Sequence, residues 1–334
     1  MLFRSQDYYL PVSGGELAIV FIASFLGVAL LTPIVRQYAK SHQITDNPDG
    51  PSGRKLQVAP VPYLGGVAMA VGMSLVVLVG SFLRDTTTDD ALLAADVLIP
   101  ALILALVGYL DDRKNLNVFP RLMTQIIAGV FTGVVVFGTG TRSSLTGNLS
   151  FDAMITIVWV VGLINAMNFM DNMDGASSVV GAIAALTFFL IALGNGQYLV
   201  AALSLALAGA LAGFLIFNWA PASIYMGDAG ALFIGFLLAV IGIRLNNDSI
   251  TQMRSLAIPI LIMGIPIIDT TTVVISRIRR GVSPLQGGRD HLSHRIHARV
   301  SKRVENSLVA TRITVLILGV ASAFLAAVAY LLSR

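Results

Sequence analysis

Residues 165–175 read NAMNFMDNMDG: three carboxamides and two carboxylates, set where one long apolar run (152–169) gives way to the next (175–194). Asn165, Asn168, Asp171 and Asp174 recur every third residue. Three residues of α-helix turn about 300°, so an unbroken helix would aim the outer two to opposite sides. The helix is therefore expected to end near Phe169 or Met170, the DNMDG segment to curl as a loop, and Asp174 to N-cap the next helix. A plain capped turn joining two helices is the alternative. Polar groups this dense at a membrane boundary are costly and favour a functional origin.

Outward from this stretch the chain is a string of apolar runs. Its 334 residues are 56% hydrophobic and 12% charged, with a mean hydropathy of +0.81. That composition predicts an all-α, polytopic membrane protein. Runs long enough to cross a bilayer fall at 16–36, 64–83, 91–110, 119–139, 152–169, 175–194, 197–217, 229–245, 256–276 and 308–332, about ten spans in a single domain over 1–334. The first run exceeds a signal-peptide core and is read as a retained span. With no cysteine, disulfides, thiolate metal sites and cysteine nucleophiles are excluded. No internal repeat is visible, and no nucleic-acid partner is expected.

Charge orients the spans. The loops after odd-numbered spans (37–63, 111–118, 170–174, 218–228 and 277–307) hold most of the Lys and Arg, whereas the opposite side has Arg4, Arg84, Arg142, Arg244, Arg254 and Arg334. The positive-inside rule places the odd loops in the cytoplasm and both termini outside. The 165–175 stretch then faces the compartment that holds nucleotides.

The other odd loops carry further chemistry. Residues 108–115 (GYLDDRKN) put Asp111 and Asp112 at a helix C-terminus, where the macrodipole opposes acids, so a cation is expected beside them. Residues 218–230 (NWAPASIYMGDAG) place Asp228 either as a plain N-cap of span eight or as a metal ligand. The last loop is basic and contains His291, His294 and His297; no thiol or third carboxylate completes a zinc set, and RDHLSHR suits a bound phosphate. Asp269 in PIIDT should pair with a loop cation or line a cavity, and Asp96 should be solvated. Together these loops offer carboxylates and carboxamides ringed by Arg and His, a donor set for Mg²⁺ or Mn²⁺. Such a set suits phosphoryl transfer. An ATPase is disfavoured, because no Walker loop is present.

Taken together, these motifs resemble the polyprenyl-phosphate N-acetylhexosamine-1-phosphate transferases. The resemblance rests on Arg54 and Lys55 with PVPYLGG, on GYLDD, on the N-x-x-N-x-x-D-x-x-D-G stretch, on NWAPASIYMGDAG, on PIIDT and on HLSHR. It implies transfer of a sugar 1-phosphate, GlcNAc 1-phosphate in the favoured branch, from a UDP-HexNAc to undecaprenyl phosphate in a bacterial cell membrane, with release of UMP. The runners-up are the phospho-MurNAc-pentapeptide branch or another UDP-amino-sugar and, more distantly, an ion-coupled transporter. Whether the chain forms a homodimer is left open.

By the same resemblance Asp228 would ligate magnesium, with Asp171 and Asn168 close to the metal and the diphosphate. Asp111 and Asp112 would sit where lipid phosphate meets sugar phosphate. Asn165, Asp174, Asn218 and Tyr225 would lie on the substrate, the last three near uridine, while His291, His294 and Arg295 grip the sugar phosphate. Lys55 and Arg121 would contact anions. The chain departs from the pattern at Gln57 and Ser293, where histidine is usual, and at Asn172, where glycine is usual and a left-handed backbone is expected.

Overall fold

The computed structural model describes residues 13–47, 59–83, 88–138, 148–245, 251–283 and 288–334. The elements in chain order are α1 (Gly14–Ser41), β1 (Thr45–Asp46), β2 (Val61–Pro62), α2 (Gly65–Leu83), α3 (Thr88–Lys114), α4 (Val118–Gly138) and α5 (Leu149–Met170). There follow α6 (Ala176–Gly194), α7 (Tyr198–Asn218), α8 (Gly227–Arg244), α9 (Gln252–Ile262), α10 (Gly264–Arg279), α11 (Leu292–Val300) and α12 (Ser307–Leu332). Among the described residues nine helices are long and apolar enough to cross a membrane, and the α9–α10 pair adds a broken tenth. The protein is a multi-pass membrane protein.

The expected unbroken span at 256–276 is corrected: α9 and α10 meet at Met263 with a bend of 75°. Pro259 lies inside α9 and Gly264 and Pro266 open α10, so the hydrogen-bond ladder is interrupted where the two halves join.

The organising element is α8. It is apolar on all sides, and every residue from Ala229 to Arg244 is buried, which is the condition for a helix enclosed by others. Helices α2, α3, α5, α6 and α7 pack against it. Close approach depends on glycine where α2 meets α8: a Cβ on Gly66 would overlap the backbone of Gly230. Helix α1 has the opposite character, showing Ile19, Ile22, Leu26, Leu30 and Ile34 on an exposed stripe, as a lipid-facing helix does.

The described parts of the odd-numbered loops converge at one end of the bundle. The β1–β2 ribbon sits under the 218–228 loop, with Tyr63 bridged to Tyr225, the Tyr225 N–H donating to the Pro62 carbonyl (2.9 Å) and the Gly65 N–H to the Tyr225 carbonyl (2.9 Å). At the other end Asp96, expected to be solvated, lies 3.5 Å from the Arg244 guanidinium. The two residues sit on packed helices, α3 and α8, and an arginine buried on α8 favours a carboxylate beside it.

Candidate active site

Helix α3 delivers the aspartate pair. At Gly108 it lies so close to α8 that a Cβ would stand 2.5 Å from the backbone of Asp228 and Ala229. One turn later Asp112 reaches the start of α8, accepting from the Asp228 N–H (2.9 Å) and the Ala229 N–H (3.2 Å). An acid opposed by its own helix's C-terminus is thus favoured by the N-terminus of another. The Tyr63 hydroxyl donates to the Asp112 carbonyl (2.7 Å) and ties the first loop to the same corner. Asp111 meets a cation as expected: Arg121 Nη1 lies 2.5 Å from its Oδ2, while its Oδ1 accepts from the Leu116 N–H (2.7 Å).

Arg121, on the first turn of α4, also reaches Asp228 Oδ2 (3.1 Å) and joins two carboxylates more than a hundred residues apart. Asp228 is the second residue of α8, after a cap at Met226 that makes no side-chain bond, so its carboxylate is not used as an N-cap. Asn168 Nδ2 donates to Asp228 Oδ1 (2.5 Å). One turn earlier on α5, Asn165 donates to Gln125 Oε1 on α4 (2.6 Å) and to the Val161 carbonyl (2.8 Å), which holds α5 against the helix carrying Arg121.

The turn after α5 begins where expected, with Asp171 as C-cap. Asp171 accepts from the Ser177 hydroxyl (2.7 Å); burial, with Asp228 and Asp174 nearby, pushes its carboxyl up to about 7. Asp174 does not N-cap α6, correcting the expectation. The cap is Gly175, whose φ of +76° suits glycine, and Asp174 instead crosses to the 218–228 loop to accept from the Ala222 N–H (2.8 Å). Burial raises the Asp174 pKa as well.

Asn172 is absent from the positive-φ residues, so the left-handed backbone expected there lies at Gly175. Asn218 is buried and fully engaged, accepting from the Gly175 N–H (3.0 Å) and the Ser178 hydroxyl (3.1 Å) and donating to the Ile224 carbonyl (3.2 Å). It shapes the two loops that flank Tyr225. Burial raises the Tyr225 phenol, which stays neutral at ordinary pH.

The basic loop closes this end. Asp269, fully buried on α10, accepts from the Leu292 N–H (2.5 Å) and lies 2.9 Å from His291 Nδ1, so its loop partner is an imidazole. His291 therefore has Nε2 left to present, and its ring meets Phe169 edge-on with centroids 5.6 Å apart. Burial, then the neighbouring His291, lowers His294 to about 4, so it is a neutral imidazole at pH 7. Asp290 gathers arginines: Arg277 bidentately through Nε (3.0 Å) and Nη2 (2.8 Å), and Arg280 through Nη2 (2.7 Å). Its carboxyl is held down at about 2, chiefly by Arg277. Arg295 Nε donates to the Asp290 carbonyl (2.9 Å).

The structure thus brings Asp111, Asp112, Asn168 and Asp228 into one hydrogen-bonded cluster, with Asp171 beside it. Lys55, Arg54 and Gln57 lie outside the described residues. Four participants were not singled out from sequence: Gln125, Ser177, Arg277 and Asp290. Gln125 follows Arg121 at the i,i+4 spacing of one helix face, a usable signal. Contacts of the other three span loops and carry no local signature.

The donor set fits a hard cation in one specific way. Among the described residues no three His, Cys, Asp or Glu side chains converge as a closed metal site. Mg²⁺ commonly takes one or two protein carboxylates and completes its shell with water and substrate phosphate. Asp228 and Asp171 match that pattern, and rotating the Asn168 amide would offer an oxygen in place of its NH₂.

A Bacillus subtilis protein named "probable undecaprenyl-phosphate N-acetylglucosaminyl 1-phosphate transferase" is 31% identical over 292 residues, 85% of this chain and 78% of that protein. The model of glycosyl transferase family 4 matches residues 94–246. The chain belongs to glycosyl transferase family 4. Decaprenyl-phosphate N-acetylglucosaminephosphotransferase of Mycolicibacterium smegmatis is 31% identical over 274 residues, 74% of this chain and 67% of its own length. Phospho-N-acetylmuramoyl-pentapeptide-transferase of Streptococcus thermophilus is 32% identical over 208 residues, 58% of this chain and 61% of its own. The family 4 match encloses Asp111, Asp112, Asp171, Asp174 and Asp228 and stops before the histidine loop.

Proposed function

We propose that this family 4 enzyme transfers N-acetylglucosamine 1-phosphate from its UDP derivative to undecaprenyl phosphate, releasing UMP, as a first membrane step toward a cell-wall or surface glycan. The observation that carries this reading is the meeting of Asp111, Arg121, Asn168 and Asp228 with a turn bearing Asp171 and Asp174, at the end of the bundle where α11 brings His294 and Arg295. The Bacillus subtilis and Mycolicibacterium smegmatis relatives, named for polyprenyl-phosphate substrates, support it. The excess of Lys and Arg in these loops supports a site on the cytoplasmic side, with both termini outside, in a bacterial cell membrane.

In the reaction an oxygen of the lipid phosphate attacks the β-phosphorus of the UDP-sugar. The bond from that phosphorus to the oxygen bridging it to the uridine-bound phosphate breaks, and that oxygen leaves with UMP. A phosphate monoester has a second pKa near about 6, so the nucleophile is already mostly dianionic and needs no base. Asp111, braced by Leu116 and Arg121, orients the acceptor rather than deprotonating it. Asp112 fixes the first turn of α8 and through it the carboxylate of Asp228. A divalent cation, Mg²⁺ or Mn²⁺, held by Asp228 and Asp171, would neutralise charge on the diphosphate oxygens.

Arg121 and Arg295 are placed to offset repulsion between the two anions, with Lys55 as a further anion contact. His291 and His294 hold the sugar-phosphate side through hydrogen bonds, and Tyr225 offers its ring to uracil. For the acceptor's isoprenoid chain, the α10–α12 surface has an open apolar groove of about 670 Å³ lined by Ile265, Leu316, Ile317, Val320, Phe324 and Leu325. Ile265 precedes Asp269 by about one turn, so a chain in the groove would begin near the histidine loop.

The test is UMP release by purified protein with Mg²⁺ and undecaprenyl phosphate, offered UDP-GlcNAc, UDP-GalNAc or UDP-MurNAc-pentapeptide in separate reactions. Chelator-sensitive release with UDP-GlcNAc is expected. Release only with the pentapeptide donor would move the chain to the branch of the Streptococcus relative, and silence with all three would overturn the reaction.

A further inference from the structure

Asn172 and Ser293 lie 121 residues apart and touch. The Ser293 hydroxyl donates to Asn172 Oδ1, and Asn172 Nδ2 donates to the carbonyl of Phe169, the residue whose ring meets His291 edge-on. The Arg277 guanidinium lies 5.7 Å above the same Phe169 ring. Ser293 is 1% exposed, so no water replaces its bond. Removing the Asn172 side chain would leave the buried Ser293 hydroxyl without this acceptor.

We infer that the Asn172–Ser293 contact is a positioning contact that fixes the spacing between the Asp171–Gly175 turn and α11, and so sets the fit of the UDP-sugar between them. Neither side chain touches the reacting atoms. Asn172 is flanked by Asp171 and lies two residues before Asp174, while Ser293 lies between His291 and His294 on the first turn of α11, so a shift at either end moves groups assigned to the diphosphate, uridine and sugar phosphate together. The polyprenyl acceptor is assigned to Asp111 and the α10–α12 groove, and neither Asn172 nor Ser293 bonds to Asp111 or lines that groove. Its loss should therefore be felt on the donor side.

This inference rests on the transfer reaction proposed above. Ser293→Ala, Asn172→Ala and the double variant are compared with the unsubstituted enzyme in UMP release and in thermal unfolding. Each single variant is expected to lower kcat/KM for UDP-GlcNAc by about tenfold, with the double variant no worse than the lower single one, as for two ends of one contact. KM for undecaprenyl phosphate should stay within about twofold, and unfolding midpoints should not track the loss. Losses that multiply in the double variant, equal losses on donor and acceptor, unchanged activity, or midpoints that fall in step with activity would each overturn the inference. No turnover by the unsubstituted enzyme with any UDP-HexNAc overturns the reaction and this inference with it; turnover accompanied by any of those patterns overturns the inference alone.

Discussion

Replacing Asp112 separates two roles that a carboxylate in this position can play. In the structure its two oxygens accept from the N–H groups of Asp228 and Ala229 at 2.9 and 3.2 Å, at the mouth of the most enclosed helix of the bundle. An unsatisfied buried N–H costs about 1–3 kcal/mol, and a carboxylate at a helix N-terminus contributes about 0.3–2 kcal/mol more. Asp112→Ala strips both N–H groups at a site water partly reaches, so the lower half of each range applies: about 1–2 kcal/mol for each N–H and about 0.3–1 kcal/mol for the lost charge, a loss of about 2–5 kcal/mol. At roughly 2 °C per kcal/mol for a chain of this size, the unfolding midpoint in detergent should fall by roughly 4–10 °C.

Asp112→Asn keeps one acceptor and turns an NH₂ toward the other N–H, so it should fall between wild type and Ala. Unfolding followed by intrinsic fluorescence, alongside UMP release, checks the order. A group acting as a base gives a different result: Asn and Ala equally inactive with midpoints unchanged. That outcome would refute the positioning role derived for Asp112.

Asp228→Asn keeps the shape beside Asn168 and Arg121 but removes the charge that would hold the cation. It should reduce Mg²⁺-dependent UMP release by about 10²-fold or more, and activity near wild type would remove Asp228 from the metal site. Gly108→Ala would drive a methyl into the backbone of Asp228 and Ala229, and overpacking of this kind costs about 1–3 kcal/mol. Activity and midpoint should fall together, while Gly80→Ala, where a Cβ meets nothing, should change neither.

Two groups favour the fold less as acid is added, against Asp171, whose raised carboxyl favours it more as pH falls below about 7, so each is read from its own variant. His294 is lowered to about 4, so between its unfolded pKa near about 6.5 and 4 the unfolded chain binds the extra proton and stability falls with pH. Asp290 is lowered to about 2, so its contribution is present above about 4 and is lost as pH falls further. Midpoints measured from pH 7 down to 4 should decline less in His294→Gln than in wild type, and parallel curves would contradict the buried neutral imidazole. Val320→Trp should fill the α10–α12 groove and raise KM for long polyprenyl phosphates more than for short-chain analogues, and an equal effect on both would remove the lipid chain from that groove.

What was legible in the sequence divides by range of contact. Spans follow from the length of apolar runs, and the end of α5 at Met170 follows from helical geometry applied to Asn165, Asn168, Asp171 and Asp174, because both are local properties. The break at Met263 was signalled by Pro259, Gly264 and Pro266, yet the apolar run continues through it and masks the signal. Asp174 shows where local rules stop. As an acid before a helix it looks like an N-cap, but Ala222, 48 residues away, offers an N–H, and Gly175 takes the cap with a backbone Asp174 would find strained. Asp112 and Arg121 follow the same logic. Their charge announced partners, and the partners' identity depended on which loops fold onto one end of the bundle.

Helix α8 has no face that meets lipid, and the ring of helices around it does. When bilayer thickness and span length disagree, a membrane protein responds by tilting, kinking or local thinning at the surface that touches acyl chains. Those adjustments fall on helices such as α1, with its exposed stripe, before they reach the register of α8 and the carboxylate of Asp228 at its head. The proposed reaction centre is in this sense insulated from hydrophobic mismatch, and membranes of different acyl-chain length should alter how the acceptor lipid arrives more than how the bound donor is held.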